Sequence, residues 1–538
     1  MKADLTQNTF DPFKHFSMVL MQQGRVQLDA DWNDQAAILL RLVRRLAADI
    51  IGPDGTSDNG FEISKLSTTA SGVVSNDFLI GAGGYYVDGI LCELDSTSVP
   101  IVAKDVTADK VTVDLWTVDE AAYQTGQYVS VTFGSNSVTA KIVASDYASM
   151  TLTLDALPGG VNNNDSGALA RLTTFMSQPD YSPSSQLAAG SYQVYLDVWE
   201  RLITCLEDDS IREVALNGPD TAARARVVWQ VKCCTPAGSP EGSCMTPQAL
   251  ANQLQPWNRG FLKARVQPTR ASTDPCIVSP TSAYYGPENQ LYRVEVNTGS
   301  NDPSGRPPTF KWSRENGAVI FPILKLATGS GQTTVTLGNL GRDDRFGLVE
   351  GDYVEVQDDD SVLNNAPGML LQVQSIDSSS LMVVLSGTTG GTVGTNLQRH
   401  PLLRRWDQKA GDPSEGGLQL AADNAVPIPS LGKTFGATQT WLNLEDGVQI
   451  AFVGIDAQTV FRTGDYWWIP ARVATGNVIW PTETATDAQG NVVVGPVAKA
   501  PDGVTHHYAP LAVVAIPEPG AVFSLTPCWA TFTPLAHT

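Results

Sequence analysis

Two adjacent imidazoles, His506 and His507, and four thiols, Cys233, Cys234, Cys244 and Cys276, are the side chains of this sequence best suited to hold a metal ion. Imidazole and thiolate are the ordinary ligands of zinc and its neighbours. The spacing speaks against a site in both places. Neighbouring residues of a strand point to opposite faces, so His506 and His507 do not converge on one ion. Beside them stand only His15, His400 and His537, so a third ligand would be a carboxylate such as Asp465 or Asp502. The four cysteines surround a Gly/Pro-rich loop without the paired CxxC of a zinc ribbon. They fit zinc, one or two disulfides, or free thiols, and no metal is expected. Cys92, Cys205 and Cys528 lie in strand-like apolar stretches, where cysteine behaves as a small buried hydrophobe.

Carboxylates offer two further chemistries. Glu200, Glu207, Asp208 and Asp209 hold the residue type that cleaves glycosides in pairs, although an acidic loop is ordinarily a solvated one. Asp343-Asp344 and Asp358-Asp359-Asp360 suit calcium in type but lack the EF-hand spacing with its glycine and terminal glutamate. GxSxG, P-loop, HExxH and Rossmann patterns are missing from the sequence. The reading is therefore not an enzyme, with no catalytic residue and no cofactor.

The elements that must position these groups are mostly strands. Gly (47) and Pro (33) are frequent, charged residues are 17%, and Val, Thr and Ser runs alternate with turn signals. Ser191–Trp199 alternates at strand period through Tyr192, Val194, Leu196 and Val198. Asp88-Gly89 and Asn316-Gly317 read as hairpin turns. Lys311-Trp-Ser-Arg314 and Arg404-Arg-Trp406 suit cation–π stacking that locks strands together. Gly126–Val131 and Gly351–Val356 share a Gly-x-Tyr-Val-x-Val pattern. After each comes a strand ending at Asp146 or Asp377, then Met150–Leu154 or Leu381–Leu385, then a Gly-Gly pair. The same order twice predicts two small β-barrels inserted in a larger framework. The fold class expected is mainly β and multidomain, with small β-barrel or sandwich inserts and one N-terminal α-helix, short and coiled-coil-like.

That helix is the most informative element. Gly24 breaks the preceding segment, and Asp29 or Asp31 offers a carboxylate to the first free amides. Trp32, Ala36, Leu39, Val43, Leu46 and Ile50 then recur at spacings of 4, 3, 4, 3 and 4, a heptad seam about three repeats long. Gly52-Pro53 ends it. Leu40, Leu42 and Ile51 lie off the seam, so the helix carries more apolar surface than one packed face needs. Arg41, Arg44 and Arg45 are expected on its solvated or intersubunit side. These seam residues are the expected assembly contacts.

At 538 residues and a net charge of −21, the chain has room for several domains and no basic stretch to bind nucleic acid. Its N-terminus lacks the apolar run of a secretory signal, and no segment approaches a membrane span in length. Synthesis in the cytoplasm is the expectation.

Seven motifs in consistent order resemble an uncharacterised domain-of-unknown-function family associated with contractile phage-tail-like injection systems. They are QQGRVQLDADWNDQ, YLDVWER, GPDTAARARVVWQVK, ENQLYRVEV, TFKWSRENG, RTGDYWWIPAR and HHYAPLA. Gly24-Arg25 with Asn33 and Gln35 is also similar to the trimerising heads of phage tail-fibre and baseplate proteins. The resemblance implies a structural subunit at the baseplate or its fibres, incorporated into a phage-tail-like particle. Its expected partners are itself as a homotrimer, other baseplate or tail components, and a cell-surface or membrane target of the finished particle. The alternative is a carbohydrate-binding or carbohydrate-cleaving surface protein using its 12 tryptophans as stacking faces. The segments expected are an assembly helix at 1–55, a hairpin region at 56–99, and barrels at 100–178 and 323–398. A central β domain at 179–322 and a C-terminal one at 399–538 complete the framework.

Overall fold

Strands do dominate the computed structural model, and among the described residues one long helix stands near the N-terminus. The structure describes residues 1–68, 72–113, 123–181, 183, 185–236, 242–255, 258–267, 283–341, 343, 345–412, 417–429, 440–454, 458–486, 492–517 and 523–534. Two compact units result. The first is made of Met1–Leu40, Arg201–Arg226 and Pro256–Thr505, the second of Arg41–Glu200, Val227–Gln255 and His506–Thr538.

In the second unit the framework is a four-stranded sheet in the order Arg224–Cys234, Gly190–Ile203, His507–Ile516, Ser524–Pro527. Val194, Leu196 and Val198 face one core with Trp229, Leu511 and Val514. Gln193, Tyr195, Asp197 and Trp199 are buried as well, so this strand is covered on both faces rather than half-solvated as its alternation implied. The hairpin Gly83–Val87/Ile90–Leu94 turns at Asp88-Gly89, both at positive φ (50° and 76°), the geometry of the tight hairpin turn that Asp-Gly favours. In the first unit Gln290–Thr298 sits between Thr309–Ser313 and Tyr466–Arg472 in a five-stranded sheet. Tyr292, Phe310, Trp312, Trp467 and Ile469 fill its core. Side chains of this size stabilise by about 1.5–3 kcal/mol each when removed from water. Asn316-Gly317 again takes positive φ, 52° and 70°.

Each unit carries one closed six-stranded barrel. The strands of the first are Ser98–Asp105, Lys110–Val113, Tyr128–Phe133, Asn136–Asp146, Thr151–Leu154 and Ser166–Leu172. Those of the second are Ile320–Gly329, Gln332–Leu337, Tyr353–Gln357, Leu370–Asp377, Met382–Ser386 and Leu402–Trp406. Around both barrels the order is first, second, fifth, fourth, third, sixth, and the sixth closes on the first. The turn from fourth to fifth strand is also repeated. Asp146 accepts the Ala148 amide at 3.0 Å and the Ser149 hydroxyl at 2.6 Å; Asp377 accepts the Ser379 amide at 3.0 Å and the Ser380 hydroxyl at 2.6 Å. Met150 and Leu381 follow at φ 52° and 54°, which a side chain adopts only when the surrounding turn holds it there. The interiors are filled by Val and Leu side chains, as expected of barrels this narrow.

Cys528 corrects the sequence reading. It is not a buried thiol: it forms a disulfide with Cys244, which ties Ser524–Pro527 to the segment ahead of the short helix Pro247–Leu254. Reducing this bond, or changing Cys244 to Ser, is expected to cost the second unit about 2–5 kcal/mol. Thermal unfolding with and without reductant measures it; an unchanged transition would contradict the linkage.

Candidate functional site

The helix Asp29–Ile51 (α1) has the bounds its sequence implies, but its N-terminus is built differently. Asp29 accepts the Thr6 amide at 2.9 Å, and Asp31 accepts the Leu28 amide at 3.3 Å. Asp31 thus closes back on the residue before the helix, as a capping-box acid does, while Asp29 ties in the chain N-terminus. At the other end Gly52, at φ 103°, donates to the Ala48 carbonyl at 2.9 Å and releases the chain into Pro53.

The faces of α1 are sharply different. Ala30 and Ile38 are buried, and Asp34, Ala37, Arg41, Arg44, Ala48 and Ile51, which share their side, are half-buried. In the second unit Arg44 makes a bidentate pair with Glu200 at 2.8 and 3.2 Å. The Arg44 carbonyl lies so close to Gly89 that any side chain there would collide with it. The opposite face carries the whole heptad seam, and it is open. Trp32 is 77% exposed, Val43 and Leu46 62% each, and Ala36, Leu39 and Ile50 are exposed too. Leu40 and Leu42 flank the seam and are also exposed. The helix therefore binds its own chain through the positions between seam residues and presents the seam outward. An apolar stripe of this kind is costly in water unless another surface covers it.

The groups that suggested chemistry are engaged elsewhere. His506 Nδ1 lies 2.7 Å from Asp197 and His507 Nδ1 2.7 Å from Asp88, so the pair does divide between two carboxylates. Asp197 also accepts Lys232 Nζ at 2.8 Å and is held below the usual carboxylate range despite its burial, because His506 and Lys232 face it. Glu207 accepts the Thr204 amide at 2.8 Å, Asp208 the Ser210 amide at 3.0 Å and Asp209 the Arg212 Nε at 2.7 Å. Asp358 caps a short helix, Asp359 meets Arg201 and His400, and Asp360 meets Arg399. Cys233 and Cys234 are free, Cys244 is disulfide-bonded and so is no zinc ligand, and Cys276 lies outside the described residues, as do Asp344 and His537. Among the described residues no group of three His, Cys, Asp or Glu could hold a metal ion, and no helix is long and apolar enough to cross a membrane. Trp312, Trp406 and Trp467 are fully buried, whereas Trp32 is open and belongs to the seam.

Sequence reasoning named the cation–π partners Lys311 and Trp406 but missed the buried charge cage around them in the first unit. Lys311 pairs with Glu355 at 2.7 Å and lies 4.6 Å over the Trp406 ring, whose Nε1 donates to Glu355 at 2.8 Å. Cation–π stacking thus joins Lys311 to Trp406, while Arg314 makes a bidentate pair with Glu445 at 2.8 and 2.7 Å. Arg293 donates to Glu295 at 2.6 Å and stacks 3.6 Å over Tyr466. Lys2 enters the same cage, 3.1 Å from Glu295, and Asn316 donates to the carbonyls of Met1 and Ala3. Burial pushes the Lys2 ammonium down to about 8 from its ordinary 10.5, against the pull of Glu295. Between these values the released segment binds more protons than the docked one, so docking tightens as pH rises from about 8 to 10.5. An NMR titration of the Lys2 ε-methylene should show a midpoint near 8; a midpoint at 10.5 would contradict the burial.

One family model matches the chain, over residues 1–125, 171–242 and 234–532, and it is described as a family of unknown function (DUF6519). The match leaves out 126–170, which holds the third, fourth and fifth strands of the first barrel. No curated protein and no solved structure matches.

Proposed function

The chain belongs to the DUF6519 family, whose function is unknown, and we propose that it is a structural subunit that assembles with copies of itself through α1. The observation that carries this reading is the outward heptad seam: the positions that would interlock with a partner helix are the ones the fold leaves open. Leu40 and Leu42 widen the apolar stripe on both sides of the seam. A helix in a pair needs one apolar seam, whereas in a bundle of three it touches two neighbours, so the widened stripe favours a homotrimer. The seven ordered motifs of the sequence support placing the subunit in a contractile phage-tail-like particle, at the baseplate or its fibres. The engagement of the acidic and histidine clusters in ion pairs and caps supports a structural role over a catalytic one. The test is the mass of the intact chain in solution beside that of a seam variant. Imaging of the native particle then tests where the subunit stands.

A further inference from the structure

Upstream of α1 the chain does something an isolated subunit has no use for. Residues 10–28 cross the surface outside regular strands, and most of their large apolar side chains are exposed, Phe10 and Val19 being half-buried. Phe13 is 85% exposed and Val26 83%, and Phe16, Met18 and Leu20, at every second position from 16, are exposed too, while Val19 between them is half-buried. This strap is held on both sides rather than loose: downstream the Leu28 amide donates to Asp31 of α1 at 3.3 Å, and the chain upstream of it is tied down as well. Lys2 is held in the Glu295 cage, Arg472 donates to the Thr6 carbonyl at 3.0 Å, and Thr6 and Thr9 bond Asp29 and Asp34 of α1 at 2.9 and 2.6 Å. Midway, the Val19 amide donates to Gln35 Oε1 at 2.8 Å, which lays the strap beside Trp32, Ala36 and Leu39 of the seam. An untethered arm would fold its Phe and Leu side chains onto its own chain. Tethers on both sides prevent that collapse and hold the apolar surface ready for a partner, with little ordering left to do on binding.

We infer that the strap is the second half of the self-assembly surface: residues 13–28 of one copy pack beside the α1 seam of the neighbouring copy. The inference rests on the proposed self-assembly and adds a piece to it. Strap and seam together leave more than a dozen large apolar side chains exposed to solvent, from Phe13 and Val26 on the strap to Trp32 and Ile50 on the seam, a surface comparable with the roughly 800 Å² per partner of a stable interface. The occupant is a second copy because the strap is continuous with the seam through Gln35, and the seam's heptad spacing is complementary to itself. In a bundle of seams, the flank beside Gln35 is where a neighbouring helix passes.

The experiment compares three forms of the full-length chain by sedimentation at a series of concentrations. They are the unaltered chain, a strap variant (Phe16→Ser, Met18→Ser, Leu20→Ser) and a seam variant (Val43→Asp, Leu46→Asp). The strap variant is expected to dissociate at about 100-fold higher concentration than the unaltered chain, with the same circular dichroism and thermal transition. A strap variant that assembles like the unaltered chain, beside a seam variant that falls to monomer, would overturn this inference and leave the self-assembly reading standing. A seam variant that stays assembled would overturn both. As a check that does not depend on affinity, Leu20→Cys with Leu40→Cys should give a disulfide-linked dimer on mild oxidation. Monomer only would count against the strap.

Discussion

Replacing Val43 and Leu46 with aspartate is expected to convert the assembled protein to monomer without unfolding it. Both side chains are largely open in the isolated chain, 62% exposed each, so a carboxylate there stays solvated. In a helix bundle both would sit in the desolvated centre. Truncating a central apolar contact costs about 2 kcal/mol or more, and a buried unpaired charge adds to it. Two such positions correspond to a loss of at least about 1,000-fold in affinity, since 1.4 kcal/mol is tenfold. Sedimentation gives the mass, and unchanged circular dichroism shows that the fold survives. The same substitutions at Ile38, on the buried face, should instead damage the fold.

The second large effect is expected at Glu355. Its carboxylate is wholly buried and accepts from Lys311 Nζ at 2.7 Å, Trp406 Nε1 at 2.8 Å and the Gly368 amide at 2.7 Å. Burial would raise its pKa, yet Lys311 and Lys2 hold it below the usual carboxylate range, so it is charged at neutral pH. Glu355→Ala removes the anion and leaves the Lys311 ammonium without its nearest partner. Breaking one side of a buried pair costs about 3–5 kcal/mol, and here it also unties a barrel strand from the framework strand Thr309–Ser313. Calorimetry should show the loss. The double change Lys311→Met with Glu355→Gln should recover much of it, because no buried ammonium is left with only Glu295 to balance it, and glutamine still accepts from Trp406. A Glu355→Ala cost below about 1 kcal/mol would mean that Glu295, 3.7 Å from Lys311, balances its ammonium alone, contrary to the penalty expected for breaking a buried pair.

What the sequence made legible was local. The limits of α1, its seam, the Asp88-Gly89 and Asn316-Gly317 turns and the repeated barrel order all follow from periodicity or turn chemistry within a few residues. The cage did not show, because Lys2, Glu295, Lys311 and Glu355 lie far apart in the chain and share no spacing. Cys244 and Cys528 are separated by 284 residues, and nothing in either neighbourhood marks the other as its partner. The strap was missed for a different reason. Phe13, Phe16, Met18 and Leu20 fit neither a helix nor a bounded strand, so their types alone gave no direction. Only the fold reveals that they point outward. The seam residues show the opposite case: the spacing named them, and the fold adds that they are the face left open.

The most direct measurement is the sedimentation mass of the intact chain at micromolar concentration. Self-association through α1 predicts a species of three times the chain mass, lost in the Val43→Asp, Leu46→Asp variant. A single species at the mass of one chain, unchanged by those substitutions, would contradict it.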